Sequence, residues 1–285
     1  MRALALALAA TMTASCGASL MKLPAGPGTA APDAAEALAH ASVRACGVRT
    51  LTAEIGVSGS AAGHRLSGRL MAGIAAPASA RLEAVAPFGQ PLFIFVASGT
   101  DATLLLPRDN RLLEHGRPDE VLEAVAGVPL GASVLREIMT GCPSDAAPDS
   151  LHARAFGADW RVVPTHHDGE VYLHREQPGA PWRLAALTAR TDSGRRWRAD
   201  YGDFQNDLAR TIRLTSDGPP PFDLRLALSQ LEINVALDAD VFRVQAPRGA
   251  DPITLEELRQ SGPLASDSPP KARRTRGGSA PLHAR

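Results

Sequence analysis

Short runs of alternating apolar and polar residues dominate the chain. Leu82 and Ala84, for example, alternate with Arg81 and Glu83, so one face of this segment is aliphatic and the other is charged. Gly, Pro, Asn and Asp separate the runs, and connections this short predict hairpins in an antiparallel meander. Strands are predicted over residues 49–58, 65–72, 80–86, 91–97, 102–106, 111–114, 159–163, 170–175, 183–191, 195–201, 211–215 and 222–235.

Three segments between or before these strands have helical spacing instead. The first begins at Asp33 as an N-cap and ends at Gly47, and the second begins at Pro118 and ends at Gly127. The third covers residues 130–139 and places Val134, Leu135, Ile138 and Met139 on one face. These apolar faces need a partner surface, and the concave face of the sheet is the expected one.

The last long strand predicts that the sheet is curved. Leu224, Leu226 and Leu228 share one parity, whereas Leu231 and Ile233 share the other, so the apolar face switches at residues 229–230. A switch of parity predicts a bulge, and a bulge bends a sheet. The expected fold class is therefore mostly β with helices (α+β): a curved antiparallel sheet forming an incomplete barrel, capped by short helices.

The two ends differ from the body. Residues 1–15 contain Arg2, an Ala/Leu run and small residues before Cys16, which is typical of an export signal. The end of this signal resembles the lipobox of bacterial lipoproteins, although Thr13 stands where Leu is usual. The resemblance implies that Cys16 carries the lipid, including a palmitate, and that Gly17 permits transit to the outer membrane. The alternative is an ordinary signal peptide with an incidental cysteine.

These features predict four regions. A signal peptide (1–15) is followed by a flexible tether (16–32), a half-barrel domain (33–262) and a disordered basic tail (263–285). Cys46 and Cys142 are the other cysteines, and in an exported protein they form either a disulfide or two unpaired buried thiols.

Composition excludes several function classes. Lys and Arg together number 30, as do Asp and Glu, so the chain has no net positive charge that would favour binding to nucleic acid. His166, His167 and Asp168 are adjacent and precede a glycine, which is typical of a solvated loop and not of a metal site. No nucleophile elbow, phosphate loop or dinucleotide fingerprint occurs. The sequence therefore predicts no enzyme activity, no metal and no cofactor.

Over roughly residues 33–235 the order of elements resembles the LolA/LolB superfamily of periplasmic lipoprotein carriers, and the most similar stretch lies between Arg81 and Gly141. This stretch comprises a strand, a Pro-Phe-Gly loop at residues 87–89, two strands, a helix that begins near Asp119, a Gly-Val-Pro-Leu turn at 127–130 and a second helix. Residues 160–163 and 212–215 are similar to later strands of the family. An extra segment at 237–259, in which a helix is predicted over 254–259, departs from a minimal LolB-like receptor.

This resemblance implies an apolar cavity that holds acyl chains. Eight residues are candidates to line it: Leu82, Leu92, Leu104, Val134, Leu135, Ile138, Leu214 and Leu226. In LolB-like receptors an apolar residue of the Pro-x-Gly loop touches the membrane, and here that residue is Phe88. The alternative for Phe88 is that it folds back onto the core, as most phenylalanines do.

The expected function follows from the anchor and the cavity together. The sequence predicts an outer-membrane lipoprotein, facing the periplasm, that accepts or delivers lipoproteins or lipids. Its expected partners are acyl chains, the membrane and a periplasmic carrier protein. The alternative is a non-catalytic envelope scaffold that uses the same fold as an interaction module.

Overall fold

The computed structural model describes residues 20–85, 91–143, 146, 152–166, 168–191 and 194–261. The described residues contain four α-helices: α1 (Ala34–Cys46), α2 (Pro118–Ala126), α3 (Ala132–Thr140) and α4 (Leu255–Ser261). Their strands are β1 (Thr29–Ala30), β2 (Thr50–Ala61), β3 (His64–Ala75), β4 (Ser79–Val85), β5 (Ile94–Ser98), β6 (Asp101–Leu106), β7 (Arg111–Gly116), β8 (Arg154–Phe156), β9 (Trp160–Pro164), β10 (Glu170–His174), β11 (Arg183–Arg190), β12 (Arg196–Gln205), β13 (Leu208–Ser216), β14 (Phe222–Ile233) and β15 (Asp251–Pro252).

All these strands belong to one sheet. Its order is β1-β8-β9-β10-β11-β12-β13-β14-β2-β3-β4-β5-β6-β7-β15, so β14 and β2 join the two meanders. Neighbouring strands are antiparallel, except that β15 runs parallel to β7. The sheet does not close on itself, and the predicted fold class, an incomplete antiparallel barrel with helices, is confirmed.

Alternate residues of the strands form an apolar inner face against which the helices pack. The apolar faces predicted for α2 and α3 are buried, and α3 lies near β4 while α2 lies near β6. The first helix, α1, lies near β9 and β11. Gly127 and Gly141 end α2 and α3 in the left-handed conformation, which glycine adopts without steric cost.

The predicted bulge in β14 is present. Ser229 pairs with Glu54, but the next paired residue is Glu232, opposite Thr52, and Gln230 has a φ of 49°. The extra residue exchanges the faces to which the side chains before and after it point, which explains the switch of parity in the sequence.

Residues 20–33, which we call the N-terminal arm, lie against the body and do not form the free tether predicted over 16–32. β1 pairs with β8, and the neighbouring Ala31 is fully buried. Leu23 packs on a small cluster of Val162, Tyr172 and Ala186 on the outer face of the sheet. Because this cluster offers the N-terminal arm an apolar surface, the arm is attached to the body and is not a free tether.

Asp33, predicted to cap α1 with its side chain, has another partner. It occupies the N-cap position but makes no capping hydrogen bond. Its carboxylate instead accepts from Arg161 Nε at 2.7 Å and from Arg161 Nη2 at 2.8 Å. Arg161 is only 8% exposed, so this bidentate pair neutralises a nearly buried charge.

Residues 234–261, which we call the C-terminal strap, cross the outer face of the sheet. Arg81 donates to the carbonyl oxygens of Val241 and Arg243 at 3.0 and 3.1 Å, which fixes the strap over β4. The strap then adds β15 to the edge of β7 and places α4 against α2, where Leu258 is fully buried. The helix predicted over 254–259 is confirmed as α4.

Candidate functional site

The eight residues predicted to line an acyl cavity lie together in one apolar core. Leu82, Phe95 and Leu104 form a buried row across β4, β5 and β6. Five of the eight are less than 10% exposed, namely Leu82, Leu104, Leu135, Ile138 and Leu214. The other three pack partly buried against the same cluster: Leu92, Val134 and Leu226. A guest that reached these side chains would have to displace some of them.

A cavity of about 340 Å³ opens elsewhere on the inner side, between the ends of α1 and α3 and strands β11, β12 and β13. None of the eight predicted residues is among those that line it. Its walls are mainly apolar and aromatic, as is usual for sites that bind small apolar ligands. The lining residues are His40, Ala41, Val43, Arg44, Ala45, Met139, Thr140, Gly141, Pro181, Trp182, Arg183, Leu184, Tyr201, Phe204, Asp207 and Ala209.

Two aromatic walls of the cavity are held by arginines. The guanidinium groups of Arg161 and Arg175 lie 4.9 and 4.4 Å from the ring centroid of Trp182. Arg183 lies 5.5 Å from the ring centroid of Phe204. Cation–π contacts of this kind favour one ring orientation, so these two walls are preformed.

Tyr201 supplies the cavity wall with a buried polar group. Its Oη has no hydrogen-bond partner among the described residues. Burial raises the pKa of Tyr201 well above its ordinary value, and the nearby charges of Glu137 and Asp200 raise it further. The phenol therefore stays neutral and adds no charge to the cavity wall.

The rim of the cavity is charged. His40, Arg44, Arg183 and Asp207 are all exposed there. The two arginines outnumber the single carboxylate, so the rim favours a polar or anionic group outside an apolar interior. An apolar pocket with a basic rim suits an amphipathic molecule better than a purely apolar one.

A disulfide between Cys46 and Cys142 lies beside this cavity. Cys46 is the last residue of α1, and Cys142 follows Gly141 at the end of α3. The neighbours Ala45 and Gly141 both line the cavity, so the cross-link ties together two of its walls. Of the two states that the sequence allowed for these cysteines, the structure has the bonded one.

Sequence reasoning found only part of this wall. Helical spacing predicts that Met139 lies on an apolar face, but no local pattern indicates Trp182, Leu184, Tyr201 and Phe204, because they come from a loop and two strands. Their proximity depends on the pairing of β12 with both β11 and β13, which periodicity does not reveal.

Two predicted site residues, Cys16 and Phe88, lie outside the described residues. In the sequence, Phe88 stands between Val85, the last residue of β4, and Pro91, where the description resumes. Within the described part of the chain, no helix combines the length and the apolar character needed to cross a membrane.

Comparison with solved structures supports the fold, whereas comparison by sequence finds nothing. No family model and no curated protein matches the chain. A LolA superfamily protein from Nitrosomonas europaea is similar over 76% of this chain and 98% of that chain, with 12% identity and a TM-score of 0.50. A putative outer membrane lipoprotein-sorting protein domain from Vibrio parahaemolyticus covers 73% of this chain and 97% of its own, with 14% identity and a TM-score of 0.45. The chain has a LolA/LolB-like fold.

Proposed function

We propose that this protein is a lipid-anchored, non-catalytic component of the cell envelope that binds acyl chains and accepts or delivers lipids or lipoproteins at the outer membrane. The observation that carries the proposal is the apolar cavity beside α1, inside a LolA/LolB-like incomplete barrel. Its apolar walls suit a hydrocarbon chain, and its basic rim suits the polar end of the same molecule.

The cavity has room for part of an acyl chain without any rearrangement. Each methylene that enters an apolar site contributes about 0.8 kcal/mol. Longer chains would extend from the cavity toward the packed residues of the inner face, such as Ile138 and Leu214.

Membrane contact belongs to the same proposal. Cys16 stands four positions before Leu20, where the described chain begins, so a lipid on Cys16 would hold the body close to the bilayer. Phe88, in the loop after β4, would be the second contact. Its insertion would contribute on the order of 2 kcal/mol.

Binding of a fluorescent fatty acid to the purified protein tests the cavity. Ala41 lines it on α1, and the substitution Ala41→Trp would fill part of the space. We expect about fifteenfold weaker binding, because excluding two methylenes costs about 1.6 kcal/mol. The matched control is Ala39→Trp, which places the same side chain at an exposed position of the same helix that does not line the cavity.

Unchanged affinity in the Ala41→Trp variant, or an equal loss in the Ala39→Trp variant, would contradict binding at this cavity. Mass spectrometry of lipid that co-purifies with the protein gives an independent readout. A carrier should also lose delivery to membranes, while staying folded, when Phe88 is replaced by Glu.

One observation favours the alternative of a non-transporting envelope scaffold. The eight residues expected to surround a guest are packed in the core, with Leu104 and Ile138 nearly inaccessible. In a scaffold, these side chains need only stabilise the fold. A scaffold should bind no fatty acid, carry no lipid and be indifferent to the Phe88→Glu substitution.

A further inference from the structure

A groove of about 880 Å³ crosses the outer face of the sheet, on the side opposite the helices. Residues of β2, β3, β12, β13 and β14 form its floor. Leu20 and Met21, at the start of the N-terminal arm, line the same groove. The floor consists largely of hydroxyl and charged side chains: Ser58, Ser60, Ser67, Thr211, Arg65, Arg213, Arg225, Asp200 and Asp223.

The arginines of this groove are not fully neutralised. Arg213 and Arg225 stand directly opposite each other on β13 and β14, an arrangement of like charges that destabilises an antiparallel pair. Arg213 donates to both oxygens of Asp223, at 3.0 and 2.8 Å. The side chains of Arg225 and Arg65 make no hydrogen bond or ion pair with any described residue, and both residues are exposed. The groove therefore has two guanidinium groups that are available to external anions.

Apolar side chains accompany these charges. Leu20 is 40% exposed and Met21 is 38% exposed. Arg198 donates to the carbonyl oxygen of Met21 and so fixes this part of the arm at the groove. Arginines next to exposed apolar side chains are typical of surfaces that rest on a membrane, where cations bind lipid phosphates and apolar side chains enter the boundary.

The short stretch of chain between Cys16 and Leu20 limits how far the groove can lie from the membrane. Four residue steps separate Leu20 from Cys16, and an extended chain spans at most about 3.6 Å per residue. A lipid on Cys16 would thus enter the bilayer within about 14 Å of Leu20. That distance is close to the Debye length of about 10 Å at moderate salt, so the free arginines would experience the potential of an anionic membrane surface.

We propose that this outer groove binds the headgroup phosphates of anionic phospholipids, so that the protein rests on the membrane with its outer face and turns its helices away. The proposal rests on the proposed anchor at Cys16, which brings the groove to the membrane. Guanidinium groups recognise phosphate by bidentate, charge-assisted hydrogen bonds, which is the interaction that Arg225 and Arg65 lack.

Flotation with phospholipid vesicles tests the proposal. The chain from residue 16 onward, with Cys16→Ser so that no lipid is attached, is mixed with vesicles of phosphatidylcholine alone or with added phosphatidylglycerol. We expect binding only with phosphatidylglycerol, and weaker binding as salt rises. The double variant Arg65→Gln with Arg225→Gln should bind about thirtyfold more weakly, since each basic residue near an anionic surface contributes about 1 kcal/mol.

The matched control is Arg108→Gln with Arg248→Gln. Both positions are exposed and lie outside the groove, near β7 and β15, and the control has the same net charge as the test variant. The basic residues after 262 are identical in all variants, so their contribution cancels. Thermal unfolding of each variant confirms that it is folded.

Four outcomes separate the alternatives. A loss specific to the groove variant supports the proposal, and an equal loss in both variants overturns it, because net charge then explains the binding. If inorganic phosphate stabilises the wild-type chain while phosphatidylglycerol vesicles do not bind, the groove is a site for a small anion and the proposal fails. A chain that binds fluorescent fatty acid but shows no groove-dependent binding to vesicles retains the proposed function and loses only this inference.

Discussion

The disulfide between Cys46 and Cys142 should account for a large part of the stability of the folded chain. The two cysteines are separated by 96 positions, so the bond removes the conformational freedom of a long loop from the unfolded state. The chain-entropy relation gives about 4 to 5 kcal/mol for a loop of this size. Domains are stable by about 5 to 15 kcal/mol in total, so this loss should be conspicuous.

The double substitution Cys46→Ala with Cys142→Ala measures this contribution. Because the bond acts mainly on the unfolded chain, we expect a lower free energy of unfolding together with a larger dependence on denaturant. Urea titration followed by tryptophan fluorescence is a suitable assay, since Trp197 is only 2% exposed in the folded protein. Cys16→Ser belongs in both chains to prevent incorrect pairing.

Reductant provides the control for the disulfide. The wild-type chain with its bond reduced should match the double variant, and the double variant should not respond to reductant. A difference of less than about 1 kcal/mol between the oxidised wild type and the double variant would refute the reasoning, and would mean that the unfolded chain is already compact without the bond.

Three further predictions concern stability. Asp33→Asn should lower the free energy of unfolding by about 1 to 2 kcal/mol at neutral pH, because it removes the charge-assisted pair with Arg161. The loss is moderate because the Asp33 side chain is partly exposed to solvent. Arg161 lowers the pKa of Asp33 below its ordinary value of 3.8, so the contribution is present above that value and is lost as pH falls through the lower folded pKa; urea midpoints of the two chains should converge in acid. Gly59→Ala should cost about 1 to 3 kcal/mol by thermal unfolding, since φ is +139° and an added Cβ would lie 2.0 Å from a carbonyl oxygen, whereas Gly68→Ala in the paired strand meets open space and should be nearly neutral. Leu258→Ala should cost about 2 to 5 kcal/mol and open the C-terminal strap to limited proteolysis, and a strap that stayed resistant would show that α4 is not what holds it.

The architecture was predictable wherever it depends on local pattern. Three local patterns each predict one structure: alternation predicts the strand β4, glycine predicts the ends of α2 and α3, and the parity switch at residues 229–230 predicts a bulge. The structure has all of these features. Their order was sufficient to indicate the LolA/LolB-like fold, although no family model matches the sequence.

Features that depend on contacts distant in sequence were not predictable. Residues 20–32 have no periodicity, and their attachment depends on an outer-face cluster around Tyr172 that lies about 150 positions later. β1 and β15 are two residues long, too short for any periodic signal. The cavity walls come from α1, α3 and three strands, so only the tertiary structure could bring Tyr201 near Ala41.

The short strands β1 and β15 affect how readily the protein associates with other copies of itself. Every open sheet has two borders whose unpaired backbone groups can recruit a strand from another molecule, and such recruitment leads to fibres or aggregates. Here the protein uses its own first and last described segments to cover both borders. Deleting either segment would expose β8 or β7, and we expect the shortened protein to self-associate before it loses its fold.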